Sequence, residues 1–282
     1  LMTYLDVDTE NNYYYSEVKG RELYFVNEGL KVPKYGQVEL VEAETSFTAY
    51  QEFQSMLTRD RIDIFMVGEF DDYQVLQALH RFPLEGRQVD LQFSYSQRYV
   101  NVVREKIEPR QSSQSILQLG YQFQCQYGDK DYFALIVFNA MFGEFAHSAL
   151  FTTLREKEGL AYSISSQFDI FTGLLEVYAG IEKSNRNQAM RGISRELNYI
   201  KLGRFSSSLL NQTKKIIRMN ALLSEDHALT LVEQRFNKVI FGDKSLSLEN
   251  WLDEIEKVTK KDVCRVARQV KLQSLFFLEG VS

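Results

Sequence analysis

Residues 160–181, LAYSISSQFDIFTGLLEVYAGI, decide the fold class. Leu160, Tyr162, Ile164 and Phe168 alternate with Ala161, Ser163, Ser165 and Gln167. A period of two marks a half-buried strand. Leu175, Val177, Ala179 and Ile181 alternate in the same way after Thr172 and Gly173, so the two runs read as an antiparallel hairpin. Upstream, 114–124 is strand-like and 130–142 is a strongly apolar helix. Downstream the pattern turns helical. Ala189, Ile193, Leu197 and Ile200 form one stripe; Leu229, Val232, Phe236 and Val239 form a second. Val263, Val266, Ala267 and Val270 form a third, opened by Thr259 with Asp262 three residues on, an N-terminal capping arrangement. A last strand is predicted at 275–278. Strands with segregated helices predict an α+β layer architecture on an antiparallel sheet.

Further out towards the N-terminus, 45–57 is an amphipathic helix with Phe47, Tyr50, Phe53 and Leu57 at helical spacing. The run IDIFMVG at 62–68 reads as a buried strand closed by Gly68. Residues 71–82 predict another helix, stopped by Pro83. The polar stretch 84–97 is the best linker, and 29–36, GLKVPKYG, reads as a loop. Residues 1–15 are helical at best. The chain opens at Leu1 with Met2 next and is read as a fragment of a longer protein.

Composition narrows the function classes. The chain has 282 residues, 44% of them hydrophobic, 25% charged and 13% aromatic, with 15 Gly and 3 Pro. Collagen-like, linker-like and wholly disordered readings are excluded, and a substantial core is affordable. A net charge of −5 argues against nucleic acid or an anionic membrane surface as the main partner. Two distant cysteines, Cys125 and Cys264, exclude a disulfide scaffold and point to a reducing, cytoplasmic location. No apolar run approaches the ~18 residues of a membrane helix.

The three histidines, His80, His147 and His227, stand apart, and neither H-x-x-E-H nor H-E-x-x-H occurs. Those motifs place two imidazoles and a carboxylate on one helix face, the minimum a catalytic zinc needs. Glu144 and His147 are three apart and could share a helix face, but two ligands are too few. Nucleophile-elbow and phosphate-loop motifs are absent as well.

Residues 142–165, FGEFAHSALFTTLREKEGLAYSIS, resemble the signature of the second half-domain of the M16 (insulinase-like, pitrilysin-like) metallopeptidases. The signature runs from a Gly-rich turn through S-x-L-F and L-R-E-K to G-L-A-Y leading into a strand. Here these elements are Gly143, 148–151, 154–157 and 159–162. Residues 50–68 resemble the helix and strand that end the first half-domain. The resemblance implies an M16/LuxS-like α/β roll, mostly antiparallel, with helices on one face. It divides the chain into the end of a first half-domain (1–72), a connecting helix and linker (73–97) and a second half-domain (98–282). Any zinc helix would lie upstream of Leu1.

The resemblance also implies site residues. Active M16 enzymes use an arginine and, seven residues later, a tyrosine from the second half to reach the substrate backbone. Arg155 and Tyr162 match in type and spacing. Read without the family, Arg155 opens a solvated charge run and Tyr162 shares a strand face with Leu160 and Ile164, as a core tyrosine would. The Gly-rich turn is thinned to Gly143-Glu144-Phe145, with reduced flexibility expected. Ala149 stands where the family commonly has arginine. These departures resemble the non-catalytic member of a bacterial two-chain M16 pair. The expectation is a pseudopeptidase subunit with no catalytic residue and no metal of its own. A second M16 chain or half-domain would supply zinc, and a peptide would be the substrate. The alternatives are the C-terminal portion of a single-chain zinc endopeptidase and a non-proteolytic scaffold.

Overall fold

A computed structural model of the chain describes residues 10–82, 87, 89, 95 and 99–281. Its centre is β2, Ser115–Gln122, SILQLGYQ, in which every residue is buried. Such a strand needs cover on both faces. Leu117, Leu119 and Tyr121 enter the main core, and Ile116 packs on the opposite side with Phe276 and Leu278.

The elements run α1 (Asn12–Tyr24), α2 (Glu28–Lys31), α3 (Val38–Ala43), α4 (Ser46–Arg59), α5 (Asp72–Leu79), β1 (Arg104–Gln111), β2, α6 (Tyr132–Asn139), β3 (Ala161–Asp169), β4 (Leu174–Ile181), α7 (Arg186–Lys201), α8 (Ser207–Ser224), α9 (Ala228–Phe241), α10 (Leu248–Lys257), α11 (Lys260–Gln269) and β5 (Lys271–Val281). Two π-helical turns, Ala140–Glu144 and Phe151–Lys157, lie between α6 and β3. The five strands form one sheet in the order β1-β5-β2-β4-β3. Only β1 with β5 is parallel; the other three pairings are antiparallel.

The predicted hairpin is β3–β4. Its turn is set by Asp169, whose side chain accepts from the Phe171 amide at 2.9 Å and the Thr172 hydroxyl at 2.8 Å. Gly173 then takes φ +69°, a conformation that favours glycine. The stripe of α7 is buried throughout, as are Val263, Val266 and Ala267 of α11 with Val270 beyond it. The expected cap of α11 has both halves: Thr259 accepts from the Asp262 amide and Asp262 from the Thr259 amide. The main helical layer packs on one sheet face. The other face carries α1, held by a bidentate pair from Arg21 to the buried Glu176 at 3.1 and 3.0 Å.

Several expectations change. Residues 62–68 form no strand, and Ile62, Ile64, Met66 and Val67 are exposed. The run has the residue types of a strand, but among the described residues nothing pairs with it. The helix α4 forms as expected, yet Phe47, Tyr50 and Phe53 face out. No described residue from Val26 to Phe82 is buried. Helix α9 likewise leaves Leu229, Phe236 and Val239 exposed, so its stripe faces no core. Phe65 meets Phe236 edge-on at 6.3 Å. The loop at 29–36 contains part of α2, capped by Asn27, and turns at Gly36. Helix α5 ends at Leu79, before Pro83, and α6 passes directly into the first π turn. The final strand is longer than 275–278. Strand β1, REKIEPRQ, carries no sequence alternation because it is an edge strand, charged and marked by Pro109. Most of the linker 84–97 and residues 1–9 lie outside the described residues.

Candidate functional site

The segment between α6 and β3 builds the site. It begins at Asn139, whose amide nitrogen donates to Glu144 Oε2 at 2.9 Å and whose oxygen accepts from the Ser166 hydroxyl at 2.7 Å. This couples the first π turn to β3. Gly143 lies in that turn with no positive φ. A Cβ built there would sit 2.8 Å from both the backbone nitrogen and Cβ of Ser166. The turn expected to have reduced flexibility is a helical one, and its glycine is required for close approach to Ser166. Burial pushes the Glu144 carboxyl above its ordinary value, and the Asn139 hydrogen bond opposes this.

The second π turn is anchored by the fully buried Leu150 and Leu154. Ser148 starts it, its carbonyl accepting from the Thr152 amide at 3.0 Å and hydroxyl at 2.8 Å. Gly159, at φ +61°, bends the chain out of the turn, and the Leu160 amide reaches back to the Leu154 carbonyl at 2.8 Å. Glu158 pairs with Arg195 of α7 at 2.6 Å. Arg155 is exposed, with its guanidinium 4.6 Å over the Phe151 ring. Among the described residues no carboxylate forms an ion pair with it.

Tyr162 is the extra residue of a β-bulge. Ala161 faces Ile181 and Ser163 faces Gly180, so one residue of β3 has no opposite number. A bulge re-aims the side chain it carries. Ile164 is buried and Tyr162 is 52% exposed, which overturns the core-tyrosine reading. The Tyr162 hydroxyl donates to Glu182 Oε1 at 2.7 Å. That hydrogen bond, foremost, raises the phenol above its ordinary value. Arg155 and Tyr162 thus stand exposed on the two sides of the Gly159 bend.

Glu144 and His147 take different partners, Asn139 and Thr213. His147 Nε2 lies 2.8 Å from Thr213 Oγ1, and burial lowers its affinity for a proton. These residues do not fit a zinc ion. Among the described residues no group of three His, Cys, Asp or Glu could hold a metal, and no helix is long and apolar enough to cross a membrane. Both cysteines are buried and unpaired with each other. The sequence missed Glu182 and the Glu144–Asn139–Ser166 chain. Glu182 had one signal, its place directly after the alternation of β4.

A family model described as "Peptidase M16 inactive domain" matches residues 50–217. The chain belongs to the M16 peptidase family. The matched stretch contains both π turns, the bulge and Glu182. This M16 chain is 34% identical over 252 residues to a Bacillus subtilis (strain 168) protein named "Probable inactive metalloprotease YmfF", covering 87% of the chain and 58% of that protein. It is 24% identical over 250 residues to "Uncharacterized zinc protease YmxG" of the same organism, covering 86% and 59%. The crystal structure of a conserved protein from Enterococcus faecalis V583 superposes with a TM-score of 0.94 at 35% identity, covering 99% of this chain and 66% of that one. The M16 chain therefore spans about three fifths of the length of these curated relatives.

Proposed function

We propose that this M16 chain is a peptide-holding, non-catalytic part of a bacterial, cytoplasmic M16 assembly. Arg155 and Tyr162 bind the backbone of a peptide substrate, and zinc with its general base belongs to a second M16 chain or half-domain. The observation that carries this reading is the bulge that turns Tyr162 out of the core, with Arg155 exposed on the other side of the Gly159 bend in the chain. A tyrosine kept only for packing has no need of a bulge at that position. The likeness to a probable inactive metalloprotease supports the non-catalytic part of the reading.

The division into 1–72, 73–97 and 98–282 belongs to the same proposal. It is supported by the absence of a buried residue among the described residues from Val26 to Phe82, against a continuous core from β2 onward; α1, within 1–72, packs instead on β2 and β5. An apolar extended run with no strand beside it is what one part of a divided half-domain looks like.

The test is affinity capture of the full-length protein from its own lysate, with peptide binding measured on the captured assembly. A near-stoichiometric second M16 chain bearing H-x-x-E-H, with peptide affinity reduced by Arg155→Ala, is expected. Peptide cleavage by the purified full-length protein alone, with zinc and without a partner, overturns the non-catalytic reading. Assembly without any effect of Arg155→Ala or Tyr162→Phe on peptide binding favours a scaffold instead.

A further inference from the structure

The bulge settles where the Tyr162 ring points. The hydrogen bond from its hydroxyl says more, because it assigns a polarity to the site. An ionised carboxylate accepts hydrogen bonds and donates none. In the Tyr162–Glu182 pair the phenol must therefore supply the proton. A phenol has one proton and accepts through its remaining lone pairs. With that proton held by Glu182, the outward side of the hydroxyl has only lone pairs to present.

The position of Glu182 makes the pair a feature of the fold. Glu182 follows Ile181, the last residue of β4, and Ile181 lies opposite Ala161. The same register shift that frees Tyr162 from the ladder sets it across from the end of β4. Both side chains are exposed, and among the described residues no lysine or arginine forms an ion pair with Glu182. The neighbouring Lys183 is instead paired with Glu279 of β5. Among the described residues the carboxylate's partner is the phenol. Arg155 has the opposite character, since a guanidinium donates and cannot accept.

We infer that Tyr162 and Glu182 form an acceptor pair that takes backbone N–H groups of an extended peptide, while Arg155 takes its carbonyl oxygens. This rests on the peptide-holding reading above and deepens it. Tyr162 is then a reader of amide hydrogens rather than a donor to a carbonyl or an oxyanion. Glu182 is a positioning residue: it holds the phenol proton and so sets the direction of every other hydrogen bond the hydroxyl makes. A donor in Arg155 and an acceptor in Tyr162 match the two kinds of group that a peptide backbone presents.

Two measurements on the full-length protein test this separately. In the first, tyrosine Cζ is labelled with carbon-13 and the Tyr162 resonance is assigned by its loss in Tyr162→Phe. Glu182→Gln should shift that resonance and lower its titration midpoint. An unchanged resonance shows that the pair does not exist in solution and overturns the inference. In the second, a ten-residue peptide of mixed composition, acetylated and amidated at its ends, is titrated by fluorescence anisotropy together with its singly N-methylated forms. Tyr162→Phe and Glu182→Gln should each weaken binding about three- to tenfold, and the double variant little further. One N-methyl position should weaken binding to the wild type and have no such effect on Tyr162→Phe. Tighter binding by Glu182→Gln, the result of releasing the phenol proton to a carbonyl, overturns the acceptor role. Binding without sensitivity to any N-methyl group removes this inference and leaves the peptide-holding reading intact. No binding to the wild type, with the resonance pairing intact, removes the reading and the inference together.

Discussion

At the scale of single residues, the decisive contacts join atoms distant in sequence. Gly143 was legible as a member of a glycine-bearing motif, but its work is done against Ser166, 23 positions later. Gly143→Ala brings a methyl group against the Ser166 backbone, which cannot step aside as a flexible side chain can. Overpacking of this kind costs about 1–3 kcal/mol, and the denaturant midpoint of the variant should fall accordingly. His147 gives a pH signature. Burial disfavours its charged form, so its proton affinity in the folded chain lies below the ordinary value of 6.5. The unfolded chain then binds the proton more readily, and stability falls as pH drops below that value. His147→Gln should lose less stability than the wild type between pH 7.5 and 5.5; identical profiles for the two proteins count against this account.

At the scale of elements, regular periodicity was readable wherever a face meets the core. The stripes of α7 and α11 and the alternation of β4 all end up buried as their spacing requires. The cap of α11 was equally plain, because Thr259 and Asp262 satisfy each other's amides locally. Thr259→Ala should cost about 1 kcal/mol, read as a lower urea midpoint with an unchanged slope. The failures have a common cause. Residues 62–68 and the stripe of α9 carry the residue types of buried elements, but burial needs a neighbour, and a neighbour is not a property of the segment. Strand β1 fails in the reverse sense: an edge strand guarded by charges and a proline does not look like a strand at all.

At the scale of the whole molecule, α1 is the helix that covers the second face of the sheet among the described residues. Its attachments include an ion pair across 155 positions, from Arg21 to Glu176, a hydrogen bond from the Tyr24 hydroxyl to the Gly173 carbonyl at 3.3 Å and one from Asn12 to the Ser112 hydroxyl at 3.0 Å. Glu176 is 5% exposed. Arg21→Ala leaves a buried carboxylate without its guanidinium, and should destabilise the protein by roughly 1.5–3 kcal/mol, the range for hydrogen bonds to charged groups. Hydrogen exchange should show the loss first in α1 and in the β4 residues beside it. A uniform loss across the main helical layer would mean that α1 is not a separately held element.

The sequence by itself determined the α+β class, the central hairpin and the helices that pack on it, and its resemblance to the M16 signature implied that Arg155 and Tyr162 belong together. Those properties depend on local spacing and on which residue types follow one another. Only the tertiary structure decided that Tyr162 leaves the core, that Glu182 holds its hydroxyl, that Gly143 is a packing residue and that the segment from Val26 to Phe82 carries no buried residue among those described. Each of these depends on register. One extra residue in β3 reverses which face a side chain takes, and no periodicity within β3 reveals it. The opposing strand has to be in place first.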